Sequence, residues 1–108
     1  MGVRMMKIGE EEVLPIGKVI YENKRYAVSV HNGALLIQQK IVSKFAVLKR
    51  NKFGEYIRIN TVTRKPKIYM IPNKELEDPI GYLQRIKAPK WVIDTFMSAL
   101  KVIKSSSS

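Results

Sequence analysis

Residues 34–50, ALLIQQKIVSKFAVLKR, decide the fold class. Ile41, Phe45 and Leu48 fall at helical spacing, with Lys44 and Lys49 elsewhere on the wheel. A helix running from about Ala34 to Arg50 would end near Gly54, a suitable C-terminal glycine. Val42, Ala46 and Leu48 also fit one face of a strand. The strand reading is preferred, because Asn51-Lys52-Phe53-Gly54 has the composition of a hairpin turn.

The flanking sequence is strand-like on both sides. Upstream, Lys18-Val19-Ile20-Tyr21 leads into the polar turn Glu22-Asn23-Lys24, and Tyr26, Val28 and Val30 then alternate onto one face. His31-Asn32-Gly33 follows. Asn-Gly between apolar runs signals a type I′ hairpin turn, whose central residues both need positive φ. Downstream, Glu55 to Asn60 alternates strictly, Thr61 to Pro66 is a polar, basic connection, and Lys67 to Ile71 alternates again. These last two strands read as one basic-aromatic hairpin. Ile57, Ile59, Ile68 and Met70 would face the core, and Tyr56, Arg58, Lys67 and Tyr69 would face out.

The C-terminal third is helical. Asp78-Pro79 suits a helix start, Asp as the cap and Pro at the first position, with one or two turns over Ile80 to Ile86 weakened by Gly81. After Ala88-Pro89, Lys90 to Lys104 reads as the longest helix, with Val92, Phe96, Ala99, Leu100 and Ile103 on one face and Lys101 and Lys104 in the last turn. The expected fold is α+β: an antiparallel curved sheet or partly open barrel of about five or six strands, with the C-terminal helix packed on it. Residues 1–15 read as an exposed lead-in, 16–104 as a single globular domain and 105–108 as a disordered serine tail.

Composition narrows the function classes. The chain has 108 residues, 45% of them hydrophobic, and a formal charge of +11. That apolar content argues against a disordered basic tail. The absence of cysteine excludes disulfides, thiolate zinc sites and cysteine nucleophiles. No apolar run reaches the ~20 residues of a membrane span. The N-terminus soon meets Glu10-Glu11-Glu12 rather than a long apolar core, so it does not read as a signal peptide, and a cytoplasmic location is expected. Fourteen lysines and thirteen isoleucines suit a thermophilic or viral origin, and equally an AT-rich genome.

The charge is concentrated. Residues 40–74 hold ten lysines or arginines and one carboxylate, Glu55. Such a field attracts a polyanion, and phosphate neutralisation with counterion release dominates nucleic-acid affinity. The candidate contacts are Lys44, Lys49, Arg50, Lys52, Phe53, Tyr56, Arg58, Arg64, Lys65, Lys67 and Tyr69, with the cations on phosphates and the aromatic rings as stacking platforms. The excess of lysine over arginine favours phosphate contact over base readout. A solvated, lysine-protected sheet would carry the same residues.

Other clusters read as structural. His31 has no catalytic partner near it in sequence, and Glu75-Leu76-Glu77-Asp78 sits where a helix start favours negative charge. There is no glycine-rich phosphate loop and no zinc spacing. No cofactor or metal is expected. Apolar residues on more than one face of the last helix make Trp91, Ile93 and Met97 candidates for a homodimer seam. The expected function is non-enzymatic nucleic-acid binding with weak sequence specificity, single-stranded DNA or RNA slightly preferred. The alternatives are a duplex DNA-binding protein and an adaptor docking an acidic protein partner.

Overall fold

The computed structural model describes residues 2–106. Residues 34–50 are extended throughout, as two strands, β4 (Ala34–Gln39) and β5 (Ile41–Arg50), separated only by Lys40. They belong to different sheets. β4 lies in a four-stranded sheet with β2 (Lys18–Glu22), β3 (Tyr26–His31) and β7 (Ile68–Ile71), in the order β2-β3-β4-β7. β5 is the centre of a three-stranded sheet, β1-β5-β6, flanked by β1 (Val3–Glu12) and β6 (Tyr56–Thr63). Every pairing is antiparallel. The α+β class holds, with two open sheets and seven strands in place of one sheet of five or six.

Among the described residues the three-stranded sheet buries only Val42 and Ala46 among its apolar side chains, while the hydrophobic core cluster lies on the four-stranded sheet. Its inner face presents Val28, Ile37 and Ile71 to α1 (Pro79–Arg85) and α2 (Lys90–Ser106), which bury Leu83, Val92, Phe96 and Ala99 against them. Asp78 caps α1, its carboxylate accepting the Gly81 amide at 3.1 Å, with Pro79 in the first turn. The β3–β4 hairpin turns on Asn32 (φ 50°) and Gly33 (φ 78°), the double positive φ of a type I′ turn. The outer face of this sheet is crossed by residues 13–17. There the buried Gln38 accepts the Ile16 amide (2.9 Å) and donates to the Ile16 carbonyl (2.9 Å) and to Ser29 Oγ (2.8 Å). Ser29 in turn donates to the same carbonyl. A buried glutamine on a strand is tolerable because each of these polar atoms is paired.

The three-stranded sheet projects as an arm. None of its residues belongs to the core cluster, and all of β6 and nearly all of β1 are exposed. The protein measures 66 × 27 × 23 Å and its radius of gyration is 18.6 Å, against about 13 Å for a compact chain of this length. Residues 3–12, read from the sequence as a lead-in, are therefore one strand of the arm. Glu10, Glu11 and Glu12 pair with Ser43, Val42 and Ile41 at its base. The helix α2 runs on through Ser106, and Ser107 and Ser108 of the expected tail lie outside the described residues. Among the described residues no helix is long and apolar enough to cross a membrane.

The basic-aromatic hairpin expected from residues 55–71 does not form. β6 pairs with β5 across the Asn51 turn, whereas β7 leaves the arm and pairs with β4. Residues 64–67 bridge the two sheets: the Arg64 amide donates to the Ser43 carbonyl, and Lys67 exchanges backbone and side-chain bonds with Gln39. The expected facing fails with the hairpin. Tyr69 lies opposite Ile37 and packs edge-on against Trp91, with ring centroids 5.7 Å apart, while Ile68 and Met70 are exposed. Ile57 and Ile59 are about half exposed, because no core lies beneath the arm.

Candidate nucleic-acid interface

Strand pairing assigns the arm's side chains to two faces, since directly opposed residues in antiparallel strands share a face. On one face the rows are Arg4-Leu48-Arg58, Met6-Ala46-Thr61 and Lys44-Thr63, with Arg50-Tyr56 nearest the tip. On the other they are Val3-Lys49-Ile57, Met5-Val47-Asn60 and Lys7-Phe45-Val62. A bulge at Ile59 and another at Ile8 keep β6 and β1 in phase with β5.

The first face carries an arginine cluster organised by one ring. The guanidinium carbons of Arg4 and Arg50 lie 5.8 and 6.0 Å from the centroid of the Tyr56 ring, and Arg58 is on the same face one row away. Cation–π contact holds arginines at about 0.5–1 kcal/mol each at exposed sites, without neutralising them. The second face carries Lys7, Lys49 and Arg64, the last placed 5.0 Å over the Phe45 ring. Where this face meets the bridging residues there is an open groove of about 610 Å³, lined in part by Met5, Phe45, Arg64, Lys65 and Lys67. At the tip, Lys52 Nζ is 5.3 Å from the Phe53 ring, which is 74% exposed.

Few of these cations are neutralised. The outer arm, residues 2–8 and 44–62, holds seven lysines or arginines and one carboxylate. Among the described residues, Lys7 with Glu10 is the one ion pair made by an arm cation.

The structure thus brings together most of the residues singled out from the sequence. Lys44, Arg50, Tyr56 and Arg58 share one face; Lys49, Arg64, Lys65 and Lys67 serve the other; Lys52 and Phe53 form the tip. Tyr69 is set apart, half-buried against the core of the other sheet. Two further cations of the 40–74 run have other places. Lys40 closes the joint between the sheets, its ammonium 3.0 Å from Glu22 and 2.9 Å from the Asn23 carbonyl. Lys74 lies on a 3-10 turn, Asn73–Glu75, beside the helices. Arg4 and Phe45 were missed as site residues. The alternation Val3-Arg4-Met5 is the sequence signal for a strand there, and the acidic run that follows it obscures that signal.

The remaining candidates resolve structurally. Glu75 pairs with Arg85 at 2.8 Å, and Asp78 caps α1. His31 ends β3 beside the hairpin turn. Trp91 stacks on Tyr26 with centroids 4.8 Å apart and planes 13° from parallel. Of the three dimer-seam candidates, Trp91 and Ile93 are half-buried against the core, and Met97 is 46% exposed. No protein family, no curated protein and no solved structure matches the chain.

Proposed function

We propose that this chain is a non-enzymatic nucleic-acid-binding protein whose projecting sheet makes the contact. One observation carries the reading: the outer arm, which contributes nothing to the core cluster, holds seven cations against one carboxylate, on both faces and at the tip. A sheet without a core forgoes most hydrophobic stabilisation, so its length is better explained by a ligand than by folding. The mechanism is phosphate neutralisation, which favours weak sequence preference and steep salt dependence.

Two features favour a duplex over a single strand. Single-strand binders rely on free aromatic platforms, yet Tyr69 is committed to Trp91 and the Tyr56 ring is flanked by two guanidinium groups. Cations on both faces of a slender arm suit a groove, whose two walls each carry a row of phosphates. The arginine cluster beside Thr61 and Thr63 also supplies donors that can reach base edges.

Fluorescence anisotropy with labelled duplex DNA, single-stranded DNA and RNA, each at about 50 and 200 mM salt, tests the reading. The expected result is tightest binding to a duplex, weakening steeply with salt, and weaker binding of Arg50→Glu and Arg58→Glu variants to every sequence. Tighter binding to single strands would return the mechanism to base stacking. No binding to any of the three at low salt would overturn the reading and make the arm a docking surface for an acidic protein.

A further inference from the structure

The tip of the arm is built with more care than a solvent-exposed turn requires. Asn51 donates its amide to the Glu55 carbonyl (2.8 Å) and accepts the Gly54 amide on its own carbonyl (3.1 Å). Its side-chain oxygen accepts the amides of Phe53 (2.9 Å) and Glu55 (3.0 Å). Arg50 Nε donates to the Gly54 carbonyl at 3.3 Å, and Gly54 supplies the positive φ of 80° that closes the turn. This scaffold fixes the backbone under Phe53, whose ring is 74% exposed and is in van der Waals contact with no core. Hairpin tips are ordinarily polar, and Gly, Asn, Asp or Ser would satisfy this turn equally well.

The surroundings of the ring identify what it meets. Lys52 Nζ lies 5.3 Å from the ring, Lys49 and Arg50 precede it at the end of β5, and Glu55 is the single carboxylate within these turn residues. One exposed apolar ring beside a lysine, on a basic tip at the end of a strand about 33 Å long, is too small for a hydrophobic protein seam. It matches a surface where flat apolar faces lie directly behind a fence of phosphates. The geometry points to Phe53 as a wedge that enters between base pairs of a bound duplex and kinks it, while Lys49, Arg50 and Lys52 hold the flanking phosphates. Partial insertion of an apolar side chain at a base step unstacks that step and bends the helix. This inference rests on the duplex-binding reading above and adds a distinct mechanical action to it.

The test uses the full chain and a duplex of about 20 base pairs, a length that spans a bent site. The duplex carries 2-aminopurine at a central flexible step and a donor–acceptor dye pair at its ends. Wild-type protein is expected to raise 2-aminopurine fluorescence and to shorten the end-to-end distance. Phe53→Ala should bind about tenfold more weakly with the same salt slope, the scale set by losing one stacked ring, and should abolish both signals. Phe53→Leu, which keeps an apolar wedge, should retain them. Because Phe53 contacts no core, circular dichroism and Tm should match wild type in both variants. Binding by wild type without either signal, or signals that survive Phe53→Ala, would overturn the wedge and leave duplex binding standing. Failure of wild type to bind any nucleic acid would overturn both. Tighter Phe53-dependent binding to phosphatidylserine–phosphatidylcholine vesicles than to the duplex would overturn the wedge in favour of membrane insertion.

Discussion

Replacing Arg4, Arg50 and Arg58 together by glutamine tests whether the arm is the contact surface, and the expected size of the effect follows from counting charges. The three guanidinium groups lie on one face, and none makes an ion pair with a carboxylate among the described residues. If each neutralises one phosphate of a duplex, the slope of log affinity against log salt should fall by about 2.7, at about 0.9 per contact. Between about 50 and 200 mM salt, wild-type affinity should then drop roughly 40-fold more than that of the triple variant. Losing the two contacts to Tyr56 should cost about 1–2 kcal/mol of arm order, which circular dichroism and Tm would register separately. A matched control replaces Lys18, Lys90 and Lys101, exposed cations on β2 and α2, by glutamine. Titration of both variants over a salt series by anisotropy decides the matter. A wild-type slope in the arginine variant, or an equal loss of slope in the lysine control, would refute the assignment of the contact to the arm.

Three further outcomes concern the scaffold that carries the arm. Gln38→Ala removes three hydrogen bonds and leaves the Ile16 amide unpaired, so urea unfolding should show a loss of about 2–4 kcal/mol with an unchanged m-value. Gly17 has φ 87°, and a Cβ there would sit 2.7 Å from the Val30 carbonyl oxygen. Gly17→Ala should therefore cost about 1–3 kcal/mol in the same assay. Trp91→Ala forfeits the stack on Tyr26 and the edge contact with Tyr69 and should cost about 2–4 kcal/mol. Its nucleic-acid affinity, measured below the lowered Tm, should stay at the wild-type value, because no arm residue belongs to the core cluster. A loss of affinity there would couple core and arm in a way the packing does not provide.

Local chemistry makes several elements legible in the sequence. Asn32-Gly33 requires positive φ at two successive positions, and both have it. Asp78-Pro79 starts α1 because one side chain can cap and the other needs no amide partner. The alternation of Tyr26, Val28 and Val30 and the apolar stripe of α2 describe their own faces. The strand preference for residues 34–50 also holds, since Asn51 and Gly54 close a tight turn that a helix would not have used. Within the candidate site, Lys44, Arg50 and Arg58 stood out by density of charge and Tyr56 as an aromatic ring among those charges, and the structure places the four on one face.

What sequence determined by itself is therefore most of the strands, though not β1, whose alternation is masked by its acidic end, together with the hairpin turns and the excess of cations, because propensity, turn chemistry and charge act over a few neighbouring residues. Tertiary structure alone decided which strand lies beside which. The sheet changes at Lys40, a single residue with no distinctive local signal, where backbone bonds to Arg25 and Val13 and the Glu22 ion pair hold the joint. That joint sends β6 to the arm and β7 to the body, so Tyr69 turns inward to Trp91 while Arg4, far off in sequence, arrives beside Tyr56. Alternation shows that a strand has two faces but not which partner or core waits on either side. Only long-range pairing makes that choice, and here it exposes the arginines and half-buries the tyrosine against Trp91.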